Sequence, residues 1–407
     1  MLLLTGKTRQ PASWIPASRK NPFIPTGPYL FKQMTTWRDS SVSTGLILLF
    51  LFSLFLFVGC SEKIDPPPPF PSAHAFVSNT GSNTVSIIDL KKLTVARTLP
   101  VGKSPGFLAA NPKMEQVFVA NQGSHSITVL DSKQLRVLKT IPTGKLPVDL
   151  IFDREGQFAY VACYGSNQIQ ILDCAKLISA GQIPTGRGPL SLHWLGNEKE
   201  IWVIQMVENT VGVVDLAKRK LLDTIPVLEG PSDLVLLPDQ SKGFVSNSRD
   251  SRVTAIDAKT RKVLAQIPVG KTPLQMVLKP DGGEIYVNSF DTDTVQIINT
   301  NTNKPNGSFQ VGRNPIYGAI TRDMQRLYVA NYRSNNIAVL DPFNRQVLDS
   351  ILVGMQPEKM YLTPDDLYLF VLNTRSNDIW VFFIPRTSAS LFAIINVGTN
   401  PSGLVIK

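Results

Sequence analysis

Histidine is almost absent from this chain of 407 residues, which contains only three. The zinc motif His-Glu-x-x-His, the haem attachment motif Cys-x-x-Cys-His and the phosphate-binding loop are missing as well. These absences exclude a covalently attached c-type haem. The scarcity of histidine also argues against a triad hydrolase. No catalytic residue, no metal site and no cofactor is predicted.

Cysteine is equally scarce, with Cys60, Cys163 and Cys174. The last two lie on neighbouring predicted strands, in a hairpin that pairs Cys163 with residues near Gln168. Cys174 is then about 20 Å away at about 3.4 Å per residue. A disulfide needs Cα atoms within about 7 Å, so none is predicted.

Acidic residues are outnumbered, because 41 Lys and Arg stand against 31 Asp and Glu, giving a net charge of +10. Residues 1–59 hold six basic residues and one acidic residue, which leaves 35 basic and 30 acidic residues in the rest. The main part of the chain is therefore only mildly basic. Its composition is not that of a nucleic-acid-binding protein, although it does not exclude such a partner.

What the chain does contain is a repeat of 42 residues. An aromatic residue followed by Val recurs at this spacing eight times, at Phe76-Val77, Phe118-Val119, Tyr160-Val161, Trp202-Val203, Phe244-Val245, Tyr286-Val287, Tyr328-Val329 and Phe370-Val371. Twelve residues after each Val stands Asp89, Asp131, Asp173, Asp215, Asp257, Asn299 or Asp341, and only the last copy, with Phe383, departs. A fixed period of this size indicates stacked supersecondary units.

Each repeat holds four short runs of strand character separated by turn residues. The first two runs are joined by an Asn-x-x-Ser-Asn turn in several copies, for example Asn331–Asn335. The recurring Asp begins the next turn, where its carboxylate can accept backbone N–H groups. We interpret this Asp as a turn cap and not as a metal ligand, because one belongs to each unit and the copies cannot converge. Four antiparallel strands per repeat predict the blades of a β-propeller.

The run Tyr-Val-Ala-Asn-Tyr-x-Ser-Asn beginning at Tyr328, together with the Val-Gly-x-x-Pro element of each unit, resembles the YVTN-type β-propeller repeat. The resemblance covers residues 75–407 and implies a fold more than a ligand. It also implies that the segment after each Pro is the innermost strand of the next blade.

Eight units predict a single all-β domain, an eight-bladed propeller over residues 75–407, with seven blades as the alternative. The chain would begin with a second strand, Ala75–Ser78, and end with an unmatched inner strand, Ser402–Lys407. We therefore expect the C-terminal strand to complete the first blade and close the ring, which leaves no open sheet edge at the seam.

The N-terminal residues predict export. Residues 1–33 are Pro-rich and without pattern, which predicts either a disordered extension or a stretch that precedes the true start at Met34. Residues 34–59 read as a signal peptide, because their apolar run of fifteen residues from Gly45 falls short of the ~20 that a spanning helix needs.

The end of that run, Phe57-Val-Gly-Cys60, resembles a bacterial lipobox, although Phe57 stands where Leu is usual. The resemblance implies lipidation of Cys60, followed by a Pro-rich linker over residues 60–74. The expected location is the bacterial cell envelope, as an outer-membrane lipoprotein that faces either the periplasm or the surface. An uncleaved membrane anchor is the alternative.

The polar position of each inner strand, two residues after the Pro, predicts the lining of the central channel. At the channel mouth we place Asp149, Asp233, Gln275, Tyr317 and Lys359. The two carboxylates lie two blades apart and could share a cation or a sugar, but simple solvation in a water-filled channel is the favoured interpretation. His193 is expected to be a packed core histidine, and His125 a solvated turn residue.

The loops that enter the inner strands carry a basic residue at one repeat position in five units: Lys103, Lys145, Arg187, Lys271 and Arg313. Arg249, Arg333 and Arg375 in the hairpin turns should reach the same face. A ring of cations at one opening would focus a positive potential and steer anions inward. Ordinary solvated turns, partly neutralised by Glu208 and neighbouring acids, are the alternative.

These patterns favour a monomeric, envelope-anchored binding or scaffold protein that recognises a protein or an anionic polymer through this loop face. The alternative is an enzyme or cofactor handler, similar either to lactonase propellers or to the eight-bladed haem-d propellers, which need channel histidines.

Overall fold

The computed structural model describes residues 73–196, 198–385 and 389–407, all within the compact unit Pro67–Lys407. The described residues form eight antiparallel sheets of four strands each. The sheets follow one another around a ring, so the molecule is an eight-bladed β-propeller, as predicted, and not a seven-bladed one.

The strands are numbered β1–β32 along the chain. The innermost strands, one from each blade, are β4 (Pro105–Ala110), β8 (Pro147–Phe152), β12 (Pro189–Leu195), β16 (Pro231–Leu236), β20 (Pro273–Leu278), β24 (Pro315–Ile320), β28 (Pro357–Leu362) and β32 (Pro401–Ile406). The second strands are β1 (His74–Asn79), β5 (Gln116–Asn121), β9 (Phe158–Cys163), β13 (Glu200–Gln205), β17 (Lys242–Asn247), β21 (Glu284–Ser289), β25 (Leu327–Asn331) and β29 (Tyr368–Asn373).

The third strands are β2 (Thr84–Asp89), β6 (Ser126–Asp131), β10 (Gln168–Asp173), β14 (Thr210–Asp215), β18 (Arg252–Asp257), β22 (Thr294–Asn299), β26 (Asn336–Asp341) and β30 (Asp378–Phe383). The outermost are β3 (Thr94–Pro100), β7 (Arg136–Pro142), β11 (Ile178–Pro184), β15 (Lys220–Pro226), β19 (Val263–Pro268), β23 (Lys304–Gln310), β27 (Gln346–Leu352) and β31 (Ser390–Asn396). A short 3-10 helix, Phe290–Thr292, replaces the usual turn between β21 and β22.

The first blade is built from both ends of the described chain. Strand β32 pairs antiparallel with β1, with Ala75 opposite Ile406 and Ser78 opposite Gly403. The Lys407 carbonyl accepts the His74 N–H at 2.9 Å, which extends the pairing by one residue. The predicted ring closure is confirmed, and blade 1 consists of β1, β2, β3 and β32.

The repeated aromatic residue and its neighbouring Val hold consecutive blades together. Alternation along the second strand sends the two side chains to opposite faces of the sheet. Phe76 of blade 1 packs against Leu108 and Val119 of blade 2, whereas Val77 packs against Phe370 of blade 8. Each of the eight gaps between blades holds such an apolar cluster, so the core is a ring of eight layers.

The recurring Asp is a turn cap, as predicted. Oδ1 of Asp131, for example, accepts the N–H groups of Lys133 at 2.9 Å and Gln134 at 2.7 Å. The exception, Phe383, is buried against Tyr368, with ring centroids 5.5 Å apart. This copy therefore exchanges a polar cap for apolar packing at the seam between blades 8 and 1.

The two ends of the ring differ. The loops that enter the inner strands and the turns between second and third strands lie on one face, which we call the rim face. The loops that leave the inner strands and the turns between third and outer strands lie on the opposite face. Among the described residues, no helix has the length and apolar character that crossing a membrane requires.

Candidate functional site

The rim face is built by backbone hydrogen bonds between two segments of each blade. We call the residue after the Gly of Val-Gly-x-x-Pro the rim residue. The turn after each second strand donates an N–H group to the carbonyl of this residue, for example from Gly123 to Lys103 at 2.9 Å and from Arg333 to Arg313 at 3.2 Å. The Ser of the Asn-x-x-Ser-Asn turn then accepts the N–H of the same rim residue. Examples are Ser124 with Lys103 at 2.9 Å and Ser334 with Arg313 at 2.7 Å.

The Gly of Val-Gly-x-x-Pro is required because the rim loop passes very close to the turn. A Cβ on Gly102 would lie 2.6 Å from Cγ of Asn121 and 2.2 Å from Oγ of Ser124. A Cβ on Gly312 would lie 2.8 Å from Cγ of Asn331. Only glycine therefore allows the loop to pass this close to the turn, and this contact fixes the position of the rim residue that follows.

The last Asn of the turn joins neighbouring blades. Asn83 adopts a left-handed conformation with φ 57°, and its Oδ1 accepts the Ser104 N–H of the next blade's loop at 2.8 Å. The equivalent bond from Gln356 to Asn335 is 2.9 Å long. His125 occupies this position in blade 2, where its Nδ1 lies 2.9 Å from the Gln122 carbonyl oxygen and 3.1 Å from the backbone nitrogen of Leu146 in the next blade. His125 lies in the hairpin turn as predicted, and it is half-buried at the contact between blades 2 and 3.

All five predicted rim cations are exposed on this face: Lys103, Lys145, Arg187, Lys271 and Arg313. Arg187 forms an ion pair with Glu208 at 3.3 Å. The other four have no ion pair within the part of the chain that the structure describes. Because these side chains surround one opening, their potentials add for a ligand that approaches the channel.

The turn arginines lie on the rim face as predicted. The backbone N–H of Arg249 bonds to the Glu229 carbonyl at 3.2 Å, and that of Arg375 bonds to the Met355 carbonyl at 3.1 Å. Arg333 is bonded to Arg313 in the same way. The rim face therefore carries these eight basic side chains, five in the loops that enter the inner strands and three in the turns between second and third strands.

The channel aspartates connect the inner strands of neighbouring blades by hydrogen bonds, and we call each such connection a clasp. Oδ2 of Asp149 accepts the Leu192 N–H of the next blade at 2.8 Å, and Oδ1 accepts the N–H of Leu150 at 2.9 Å. Oδ2 of Asp233 accepts the Met276 N–H at 2.7 Å, again from the next blade. Both residues are half-buried, and each of their carboxylate oxygens accepts one backbone N–H group, which the sequence did not predict.

Burial raises the pKa of both carboxyl groups, to about 6 for Asp149 and about 7 for Asp233, against the hydrogen bonds from the backbone. The charge of Asp149 adds to the rise at Asp233, and the ammonium group of Lys359 opposes the rise at Asp149. The channel therefore holds two carboxyl groups that change protonation near neutral pH.

The other predicted channel residues differ in their roles. Gln275 repeats the clasp, since its Oε1 accepts the Gly318 N–H at 2.9 Å and the Asn288 amide at 2.8 Å. Tyr317 and Lys359 are half-buried on the same register position. Burial raises the pKa of Tyr317 to about 12, so its hydroxyl stays protonated.

His193 lies on inner strand β12, and its Nε2 is 3.2 Å from Oγ of Ser191. Burial lowers the pKa of His193 to about 4, so the imidazole is neutral at physiological pH. It is the one histidine on the inner strands, which does not fit a haem held through several channel histidines. The described residues contain no group of three or more His, Cys, Asp or Glu side chains that could hold a metal ion.

One stretch, Gly102–Gly106, has the Gly-x-Ser-x-Gly spacing of a nucleophile turn. It lies in a rim loop before a strand, whereas the hydrolase motif needs a turn from a strand into a helix. Ser104 adopts a φ of 50°, and the equivalent residues Leu146 and Thr272 have φ 51° and 53°. The conformation of Ser104 is thus a property of the repeat.

Cys163 and Cys174 are free, buried thiols, and Cys163 pairs with Gln168 in the predicted register. Burial raises their pKa to about 11 and about 12, so both stay protonated and unreactive. Cys60, the predicted signal peptide over residues 34–59 and residues 1–33 lie outside the described residues, as does the linker up to residue 72.

Sequence reasoning missed a network on the opposite face. Glu284 accepts hydrogen bonds from Asn306 at 2.8 Å and from Tyr286 at 3.0 Å, and it pairs with Arg345 of the next blade. An equivalent pair lies 84 residues earlier, where Arg261 is 2.9 Å from Glu200. The available signal was that acid and base recur together two repeats apart.

A family model described as a YNCE-like β-propeller matches residues 139–282. No curated protein matches the chain. Among solved structures, hydrazine synthase of Kuenenia stuttgartiensis is 22% identical, with a TM-score of 0.55, over 70% of this chain and 99% of that chain.

Two further solved structures are similar. The dihydro-heme d1 dehydrogenase NirN, in complex with DHE, is 15% identical with a TM-score of 0.70, over 84% of this chain and 77% of that one. A Bacteroides uniformis protein provisionally assigned as a 6-phosphogluconolactonase is 16% identical with a TM-score of 0.56, over 83% of this chain and 100% of that one. At these identities the likeness shows the fold alone.

Proposed function

The chain is a YVTN-type β-propeller repeat protein, and from this premise we propose that it is a non-catalytic binding protein of the bacterial cell envelope. In this proposal a lipid on Cys60 anchors it to the outer membrane. The rim face then recognises an anionic polymer or an acidic protein surface.

The observation that carries the proposal is the group of four exposed rim cations without an ion pair among the described residues: Lys103, Lys145, Lys271 and Arg313. The fold needs only the Gly and the Pro of this loop, because the contacts that shape it come from the backbone and from the Ser and Asn of the turns. Four cations at a position that the fold leaves free are best explained by a ligand. Exposed charges are screened beyond about 8–10 Å at physiological salt, so the attraction is strong only at the opening.

The test is the binding of dextran sulfate and of single-stranded DNA to the wild-type chain and to a variant with Lys103→Gln, Lys145→Gln, Lys271→Gln and Arg313→Gln. We expect weak wild-type binding that falls between about 50 and 200 mM salt, and its loss in the variant. The melting temperature should stay nearly unchanged, because the side chains are exposed.

A matched control removes the same charge from the opposite face, with Lys92→Gln, Lys133→Gln, Lys176→Gln and Lys218→Gln, all in turns between third and outer strands. This control should bind as the wild type does. Equal loss in both variants would mean that net charge alone governs binding, and the rim proposal would then fail.

A lactonase-like or cofactor-handling propeller is the second candidate, and the observation that favours it is the pair Asp149 and Asp233 with raised pKa values in the channel. Their oxygens already accept backbone N–H groups, so a cation would have to compete with the clasps. Elemental analysis and an absorption spectrum of the chain purified from its host separate the candidates. A stoichiometric metal or a strong visible band would overturn the binding proposal.

A further inference from the structure

The outer surface of blades 7 and 8 is unusually apolar. Of the twelve large apolar side chains that are exposed among the described residues, seven lie on or beside the outer strands β27 and β31. We call this surface the apolar flank: Phe343, Val347, Leu348, Leu352, Leu391, Phe392 and Ile394. Leu352 is 72% exposed and Ile394 is 50% exposed, so these two side chains are not part of the core. The Phe392 ring also contacts the buried Tyr368, and Nζ of Lys279 lies 5.0 Å from the centre of the Phe343 ring.

The flank also has unprotected strand edges. Each outer strand leaves one row of N–H and C=O groups unpaired, and natural proteins usually protect such edges with Lys or other charges. Strands β3, β7, β15 and β23 each contain Lys or Arg. Strands β31, β11 and β19 contain no charged residue, and β27 contains only Asp349, but only β27 and β31 lie in neighbouring blades and carry most of the exposed apolar side chains.

The flank is not flat. A cavity of about 190 Å³ lies between blades 7 and 8, and its walls include Leu348 on β27 and Pro385 and Ala389 before β31. It forms a notch between β27 and the segment that leads into β31, and Arg326 and Asp349 also line it. Such relief permits interdigitation with a partner, as good interfaces require.

Charge indicates which partner fits. Residues 315–400, which make up blades 7 and 8, contain seven basic and seven acidic residues. The rest of residues 73–407 contains 27 basic and 21 acidic residues. Two copies that meet elsewhere bring like charges together, whereas two flanks meet without net repulsion. An anionic lipid surface would instead select an excess of Lys and Arg, and the flank has none.

We propose that the apolar flank is the interface of a homodimer, in which a second copy of this chain covers the flank about a two-fold axis. An isologous interface needs a self-complementary surface, and a neutral apolar surface meets that need. This proposal replaces the monomer expected from the sequence. It does not depend on what the rim face binds.

The test uses the full chain in intact cells, with Leu352→Cys or Ile394→Cys, treated with a membrane-permeant oxidant and analysed on non-reducing gels. The native Cys163 and Cys174 are buried and should not react. A species of twice the chain mass is expected for at least one variant. The yield should be at least about tenfold above that of Val263→Cys, because a fixed interface holds two thiols at high effective concentration.

Val263 is the matched control, since it is 39% exposed on outer strand β19, away from the flank. Adding Leu391→Lys to Leu352→Cys should abolish the dimer band without lowering the amount of chain, because Leu391 is 48% exposed. Equal cross-linking of the control would overturn the proposal. So would a cross-link to a protein of another mass, or a Leu352→Cys thiol that is shielded from a soluble maleimide yet gives no dimer, which would indicate lipid.

Discussion

At the residue scale, the channel carboxylates show how one position can serve structure and still respond to pH. Asp233 accepts the N–H groups of Leu234 and Met276, and these bonds favour the charged form. Burial disfavours the charged form and prevails, so the pKa of Asp233 is raised to about 7. The caps in the exposed turns behave oppositely, because a backbone hydrogen bond from Lys176 lowers the pKa of Asp173.

The first prediction concerns the pH dependence of stability. The folded-state pKa of Asp233, about 7, lies above its ordinary value of 3.8, so the folded chain binds this proton more tightly than the unfolded chain does. The stabilisation that this proton gives to the folded chain is complete below the pKa of Asp233 in the unfolded chain, and it is lost as the pH rises through about 7. We expect the melting temperature of the wild type to fall between pH 5 and pH 8.

Asp233→Asn should lower the melting temperature at all pH values, because the amide cannot accept both N–H groups, and should flatten this slope. Asp215→Asn is the control, since the pKa of the half-buried turn cap Asp215 is lowered by the backbone hydrogen bond from Lys218. The control should leave the slope between pH 5 and pH 8 unchanged. An unaltered slope in Asp233→Asn would contradict the assignment of the titrating group.

At the scale of the strands, blades are joined on the opposite face by ion pairs that the repeat places at the starts of second strands. Glu284 at the start of β21 is nearly buried, and the Arg345 side chain reaches it from the turn before β27. Burial opposes ionisation, but the bonds from Arg345 and Tyr286 outweigh it and hold the pKa of Glu284 below its ordinary value.

The second prediction is that Arg345→Met destabilises the propeller by about 1–3 kcal/mol, because a buried carboxylate loses its charged partner. Arg261→Met removes ion pairs with both Glu200 and Asp223 but should cost less, since the side chains of these acids are 26% and 46% exposed, against 12% for Glu284. Denaturant unfolding measures both. Equal costs would show that burial of the acid does not set the energy of the pair.

The sequence predicted the strands well because the same local pattern of strand and turn residues occurs in all eight repeats. The Asn-x-x-Ser-Asn turn, the Asp cap and the rim position of Lys103 all follow from spacing within one unit. The bond from Asn83 to the Ser104 N–H does not, because it joins two blades whose separation only the closed ring fixes. For the same reason the sequence did not predict that Asp149 and Asp233 accept N–H groups from the next blade.

The apolar flank was also beyond sequence reasoning. Outer strands in every repeat contain apolar residues, for example Val95 in β3 and Val347 at the equivalent position of β27. Val95 is half-buried, whereas Val347 is 47% exposed. The pattern within a strand does not tell which side chains a neighbouring blade covers.

At the scale of the whole molecule, the ring is closed by the pairing of its first and last strands, β1 and β32. Strand β32 supplies the inner strand of blade 1, and Leu404 on it packs in the cluster between blades 8 and 1 with Phe370 and Val77. Oγ of Ser402 lies 2.6 Å from Oγ1 of Thr80 and 3.2 Å from the Pro105 carbonyl of blade 2. One strand thus contacts three blades.

The last prediction is that deleting residues 401–407 destabilises all eight blades and not blade 1 alone. The deletion exposes the edge of β1 and opens the ring, and each blade is stable only through contact with its neighbours. We expect one cooperative thermal transition at a much lower temperature. Leu404→Ala is the control, because it keeps the strand and its hydrogen bonds while removing buried methyl groups, at a cost of about 2–5 kcal/mol. A truncated chain that melts no lower than Leu404→Ala would mean that the seam contributes only local packing, and that the other seven blades stand as an open arc.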